Sequence, residues 1–222
     1  MRLSDIDHAK VTAAVTAAEL ATDGEIVTVV ARASDAYHDV ALHWSVLAML
    51  LVLAVLAAWP APIEAIHAAV GDGWTIVGAR EALTIALVLL AATFLITRVA
   101  LAWRPLRLAL TPGGTKARRV RRKAFELFRT SAEKRTIAAT GVLLYLSLDE
   151  HRAELIADAA IHGRVAEDVW GEAMAALIVA VKDGRPGDGM ADAVARIGIV
   201  LAEHFPRSEG DVNELPDRVI EL

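Results

Sequence analysis

An α/β fold interrupted by a transmembrane hairpin is the class the sequence predicts: a small mixed sheet of three to four strands, flanked by helices. Three observations predict it. Segments 25–31 and 142–148 are nearly continuous in apolar residues, as expected of strands covered on both faces. Between them, 41–59 and 82–103 are apolar runs long enough for spanning helices. A dense run of arginine and lysine follows the second run, and nothing comparable precedes the first.

Residues 4–21 read as a helix. Ser4 with Asp7 three positions on forms a capping-box pattern, with Asp in the usual Glu position. Val11, Ala14, Val15, Ala18 and Leu20 give an apolar stripe near helical spacing. Thr22-Asp23-Gly24 breaks the helix, and the first strand follows with Ile26, Val27, Val29 and Val30. The run 41–59 carries no formal charge. His43 and Trp44 at one end and Trp59 at the other suit the membrane interface, and Pro60 and Pro62 end the helix. The linker 60–81, with Glu64, Asp72, Arg80 and Glu81, suits a partly helical or interfacial segment. The second run is charge-free to residue 97, and Arg98 stands where a long side chain can snorkel to the interface.

Arg104, Arg107, Lys116, Arg118, Arg119, Arg121, Arg122 and Lys123 follow without an intervening acid. The positive-inside rule puts this flank in the cytoplasm, and two spans return the amino-terminal segment to the same side. The expected location is the bacterial inner membrane, multi-pass, with both termini cytoplasmic. The cluster reads as a topogenic signal on a solvated face, and it also suits anionic lipid head groups. Pro112-Gly113-Gly114 reads as a turn. Thr115 then caps a helix to about 135 with Val120, Ala124, Leu127 and Phe128 as its buried stripe. The strand 142–148, the turn Asp149-Glu150-His151-Arg152 and a returning strand 153–158 form a hairpin. Amphipathic helices over 166–182 and 189–204 follow, separated by a glycine-rich loop, 183–189. Trp170, Phe125 and Phe128 read as core aromatics. The tail from Phe205 is irregular, and 217–222 either docks or frays.

The bulk composition excludes several classes. None of the 222 residues is cysteine, so disulfides, thiolate metal sites and a cysteine nucleophile are ruled out. The net charge is −5, and the basic cluster has no interleaved aromatic platform, so no nucleic-acid partner is expected. Residues 1–10 lack the basic start and apolar core of a cleavable signal.

Joining the soluble segments gives one domain: residues 1–40 as its first part, 41–103 as the hairpin, 104–205 as its second part and 206–222 as a tail. The helix 115–135 supplies the crossover that lets 24–31 and 142–148 pair in parallel. A long insertion is tolerated because closure entropy rises slowly with length. Thr22 to Val30, Ala124–Phe128 (AFELF), Thr140–Leu148 (TGVLLYLSL) and Arg152–Asp158 (RAELIAD) together resemble the TPM domain, a family widespread in bacteria. The resemblance covers residues 5–31 and about 117–205. The chain differs from many relatives in two ways. The hairpin replaces a loop, and its charge pattern places the domain in the cytoplasm, whereas many relatives are extracytoplasmic with a tail anchor.

The resemblance implies phosphatase activity, as claimed for some plant members, or divalent-metal binding, as for others. Asp149, Glu150 and Asp158 are the candidate ligands for Ca²⁺ or Mg²⁺, with Asp23 and Asp188 as further acids. Asp149 belongs at the carboxyl end of the sheet, where ligands of open α/β sheets bind, and Asp23 at the other end. The competing reading makes these acids ordinary turn residues. His151 and His162 lack metal-ligand spacing, and His38 and His43 read as interfacial packing. No nucleophile-elbow, phosphate-loop or zinc-protease motif occurs. In the spans, Ala54, Ala57, Ala58, Ala86, Ala91 and Ala92 give small faces that allow close helix packing, within one chain or between copies. The expected role is a scaffold or accessory module for a membrane-associated partner. The alternative is a divalent-metal-dependent, acid phosphatase-like enzyme.

Overall fold

A computed structural model describes residues 3–70, 76–131, 140–209 and 217–222. Asp72, residues 132–135 of the expected helix, and Pro216 lie outside the described residues. In chain order the elements are α1 (Asp5–Glu19), β1 (Glu25–Ala31), α2 (His38–Ala58), α3 (Ala61–Val70), α4 (Ala79–Ala100), α5 (Arg104–Ala109) and α6 (Gly113–Ser131). Then come β2 (Gly141–Ser147), β3 (Arg152–Ala157), the short α7 (Ala159–His162), α8 (Gly171–Lys182), α9 (Pro186–His204) and β4 (Ile220–Glu221). The chain divides into two compact units, Met1–Asp35 with Gly113–Leu222, and Ala36–Pro112.

The first unit is a mixed α/β sandwich. Its sheet has the order β3-β2-β1-β4. β1 and β2 pair in parallel from Glu25↔Gly141 to Ala31↔Ser147, although 109 positions separate the end of one strand from the start of the other. β2 and β3 form the expected antiparallel hairpin. Period-2 alternation divides β1 and β2 between two cores. Ile26, Val30, Leu144 and Leu146 pack with Val11 and Val15 of α1, Leu177 of α8 and Ile197 and Leu201 of α9. Val27, Val29, Leu143 and Tyr145 pack with Val120, Ala124 and Phe128 of α6. Every residue of both strands is buried, which is why each reads as an apolar run rather than an alternation.

Local chemistry sets the boundaries. The Ser4–Asp7 capping box forms in both directions. The Asp7 N–H donates to Ser4 Oγ at 3.1 Å, and the Ser4 N–H to Asp7 Oδ2 at 3.0 Å. Leu20 lies past the last turn of α1 and is exposed, so the buried stripe stops at Ala18. α6 begins at Gly113, not Thr115: the two glycines form its first turn instead of a loop before it. α9 likewise starts at Pro186, because proline suits a first helical turn that needs no N–H partner. Phe125 is not a core residue. It lies on the outer face of α6, while Phe128 and Trp170 are buried. The tail docks: Ile220 and Glu221 pair with Val29 and Val30 and cover that edge of β1.

In the second unit α2 and α4 pack side by side. Their 21 and 22 residues give lengths of about 32 and 33 Å, enough to cross a hydrocarbon layer of about 30 Å. Both are long and apolar enough to cross a membrane. Leu50, Leu51, Leu87, Val88 and Ile96 point outward. Hydroxyls within the helices bond their own backbone: Ser45 Oγ donates to the Ala41 carbonyl and Thr93 Oγ1 to that of Leu89, each at 2.8 Å. α4 starts earlier than the charge-free run because Glu81 accepts from the Gly78 N–H at 3.0 Å and caps the helix. Arg98 reaches back to the His38 carbonyl, at 3.5 Å, beside the start of α2.

Candidate functional site

The carboxyl ends of β1 and β2 bring together residues from three segments: Arg32, Ser34 and Asp35 after β1, Tyr145, Asp149 and Glu150 on and after β2, and Arg119 from α6. In-register parallel pairing does this, because β1 and β2 end side by side at Ala31 and Ser147. The Asp149 N–H donates to the Arg32 carbonyl at 2.9 Å, extending the ladder one step into the turn. Glu150 is buried, and both its oxygens accept from the Ser34 N–H, at 3.0 and 3.1 Å. The Ser34 and Tyr145 hydroxyls hydrogen-bond each other at 3.0 Å. Burial first, and then the nearby Glu150 charge, push the Tyr145 hydroxyl up to about 12. Arg32 lies 3.7 Å from Asp149, and Arg119 pairs with Asp35 at 3.0 Å. The network fixes the turn after β1 and sets two carboxylates beside two guanidiniums. Sequence reasoning missed Arg32, Ser34, Asp35 and Tyr145, since no spacing in the chain signals the side-chain contacts that the segment after β1 makes with β2, its turn and α6.

The three candidate metal ligands do not converge. Asp149 and Glu150 are neighbours at one end of β2. Asp158 sits at the other end, about 20 Å away along a seven-residue strand. There it closes the hairpin, with Oδ2 accepting from the Gly141 N–H at 3.1 Å and its own N–H donating to the Gly141 carbonyl at 2.9 Å. Asp23 accepts from the Ser208 N–H at 2.7 Å, and Asp188 pairs with Lys10 at 2.7 Å, tying α9 to α1. No group of three or more His, Asp or Glu side chains placed to hold a metal ion occurs among the described residues. His43 is exposed and donates through Nδ1 to the Asp39 carbonyl at 2.6 Å, one turn back on α2.

A second acidic cluster lies at the amino end of the sheet. Glu19, in the last turn of α1, accepts from the Ile26 N–H at 2.8 Å. Asp217 accepts from the Thr16 hydroxyl at 2.6 Å. Burial, followed by the charges of Glu25 and Asp217, pushes the Glu19 carboxyl up to about 8. Nothing in the spacing of these residues signals the cluster, because Asp217 arrives with the docked tail.

The basic cluster splits. Arg104 and Arg107 belong to α5, where Arg107 donates to the Leu101 carbonyl at 3.3 Å. On α6, Arg119 is engaged with Asp35, Lys123 pairs with Glu126 at 3.8 Å, and Arg121 stacks over Phe125 at 5.6 Å. Arg118, Arg121 and Arg122 are exposed, and Lys116 is half-buried.

Among solved structures the chain is similar to the BA42 protein from the psychrophilic bacterium Bizionia argentinensis, determined by NMR. The likeness has a TM-score of 0.57 at 16% identity and covers 100% of this chain and 97% of that one. At that identity the likeness is one of fold. No family model matches the chain, and no curated protein matches it.

Proposed function

We propose that the chain is a two-span protein of the bacterial inner membrane whose TPM-like domain, with both termini cytoplasmic, is a scaffold or accessory module for a membrane-associated partner. The observation that carries this reading is the register of β1 with β2. The central pair of strands closes across the whole hairpin, so the domain is built around its anchor instead of being hung from it. The partner is a membrane protein or a further copy of the chain. Arg118, Arg121 and Arg122 suit anionic head groups, at about 1 kcal/mol for each basic residue near the surface.

The rival, a phosphatase dependent on Ca²⁺ or Mg²⁺, draws on one observation: Asp149 and Glu150 stand at the carboxyl ends of the parallel strands. Purification of the full chain in mild detergent separates the two readings. The accessory reading predicts a stoichiometric membrane-protein partner or a defined oligomer. Divalent-metal-dependent hydrolysis of a phosphomonoester, abolished by Asp149→Ala, would overturn it.

A further inference from the structure

The two edges of the sheet are treated differently. On one, the tail adds β4 to β1, and the Leu222 N–H donates to the Val30 carbonyl at 2.9 Å. The other edge is β3, and no strand among the described residues covers it. The Asp158 N–H points to β2, where it meets the Gly141 carbonyl. Antiparallel alternation then turns residues 152, 154 and 156 toward β2, and the N–H and C=O groups of Ala153 and Leu155 outward. Ala153, Glu154, Leu155 and Ile156 of this strand line a groove of about 260 Å³. One wall is Arg121 and Phe125 of α6, and the other is Trp170 and Met174, at and after the start of α8.

We propose that this groove binds an extended peptide segment of a partner protein, added to β3 as a fifth strand, with alternating aliphatic and acidic side chains. The alternation follows from the two faces. Leu155 pairs with Leu144, so side chains added beside it fall on the face packed against α8, next to Trp170 and Met174. Glu154 pairs with Tyr145, so the intervening side chains fall on the α6 face. There Arg121 and Glu154 line the groove together, and the positive charges of Arg121 and Arg152 both act on the Glu154 carboxylate. Arg121 stacks on Phe125 and Arg152 donates to the Gly113 carbonyl at 3.2 Å, and neither forms an ion pair among the described residues. Arg118 and Arg122, exposed on the same helix, add to the positive field. Main-chain hydrogen bonds give such a complex its affinity, and the alternating pockets give it specificity. Glu154 lies half-buried on the open edge, where a charge opposes pairing with purely apolar strands.

The inference rests on the accessory reading for its partner and on the β3 edge for its geometry. The test uses a fluorescent peptide of about eight residues, an ordinary strand length, alternating Val and Asp. Its binding to the full chain in detergent is followed by anisotropy. Saturable binding is expected, with slowed amide exchange at Ala153 and Leu155. N-methylation of alternate peptide residues removes the edge hydrogen bonds with the protein untouched, and is expected to weaken binding about tenfold or more. Arg121→Glu, an exposed position, is expected to weaken it about fivefold, and a Val/Lys peptide should bind no better than that variant. No binding below about 1 mM, or equal affinity for the methylated peptide or for the Arg121→Glu protein, overturns the proposal. If the peptide fails while a partner still co-purifies, the groove assignment falls and the accessory reading stands.

Discussion

Glu19 shows how a single side chain contributes to the response of the domain to pH. Its carboxyl is held at the end of α1 against the Ile26 N–H, with Glu25 and Asp217 as acidic neighbours. Burial and those charges raise it from the usual 4.5 to about 8. The folded state therefore binds the proton more tightly than the unfolded state. The sign follows from linkage: Glu19 does not penalise folding below about pH 4.5, and its penalty grows as pH rises, levelling off above about pH 8. Glu19→Gln keeps an oxygen acceptor for the Ile26 N–H and removes the titration. Relative to the parent, the variant should gain about 1–2 kcal/mol at pH 8–9 and almost nothing at about pH 4, the gain being limited by solvent around the half-buried group. Denaturant titrations across that range test it, and a pH-independent difference would contradict the assignment.

The helices α1 and α9 depend on a different kind of fit. A Cβ built on Gly198 would lie 2.5 Å from Ala18 Cβ, closer than side-chain atoms approach. Gly198→Val should cost about 1–3 kcal/mol by forcing the two helices apart, and thermal unfolding measures it. An unchanged midpoint would mean that the helices pack less closely than described. The legibility of the elements has the same physical root. β1 and β2 were readable because burial on both faces writes itself as a continuous apolar run, and α1 because its cap is local. β4 was not, since two residues carry no periodicity and its pairing depends on β1. The start of α6 was misplaced because glycines in a first helical turn look like a loop. Asp158 stands apart from Asp149 and Glu150 for a topological reason: an antiparallel hairpin sends the residues after its two strands to opposite ends. The partners of Glu150 were invisible because Ser34 lies 116 positions away.

At the scale of the whole chain, the sheet is completed only after both apolar helices of the hairpin have been made. β1 is synthesised before them and β2 after them, and the two strands meet in register from end to end. If the hairpin crosses a membrane, such closure requires both flanking segments to lie on one side of it. The chain has no cysteine, so single substitutions report on this without background. The decisive measurement is labelling by a membrane-impermeant maleimide in right-side-out spheroplasts, at Ile6→Cys, Ile76→Cys and Ile199→Cys, all exposed positions. Ile76→Cys should be labelled directly, and Ile6→Cys and Ile199→Cys only after permeabilisation. Direct labelling of either of the last two, or labelling of Ile76→Cys only after permeabilisation, would contradict a cytoplasmic domain built around a membrane-crossing hairpin.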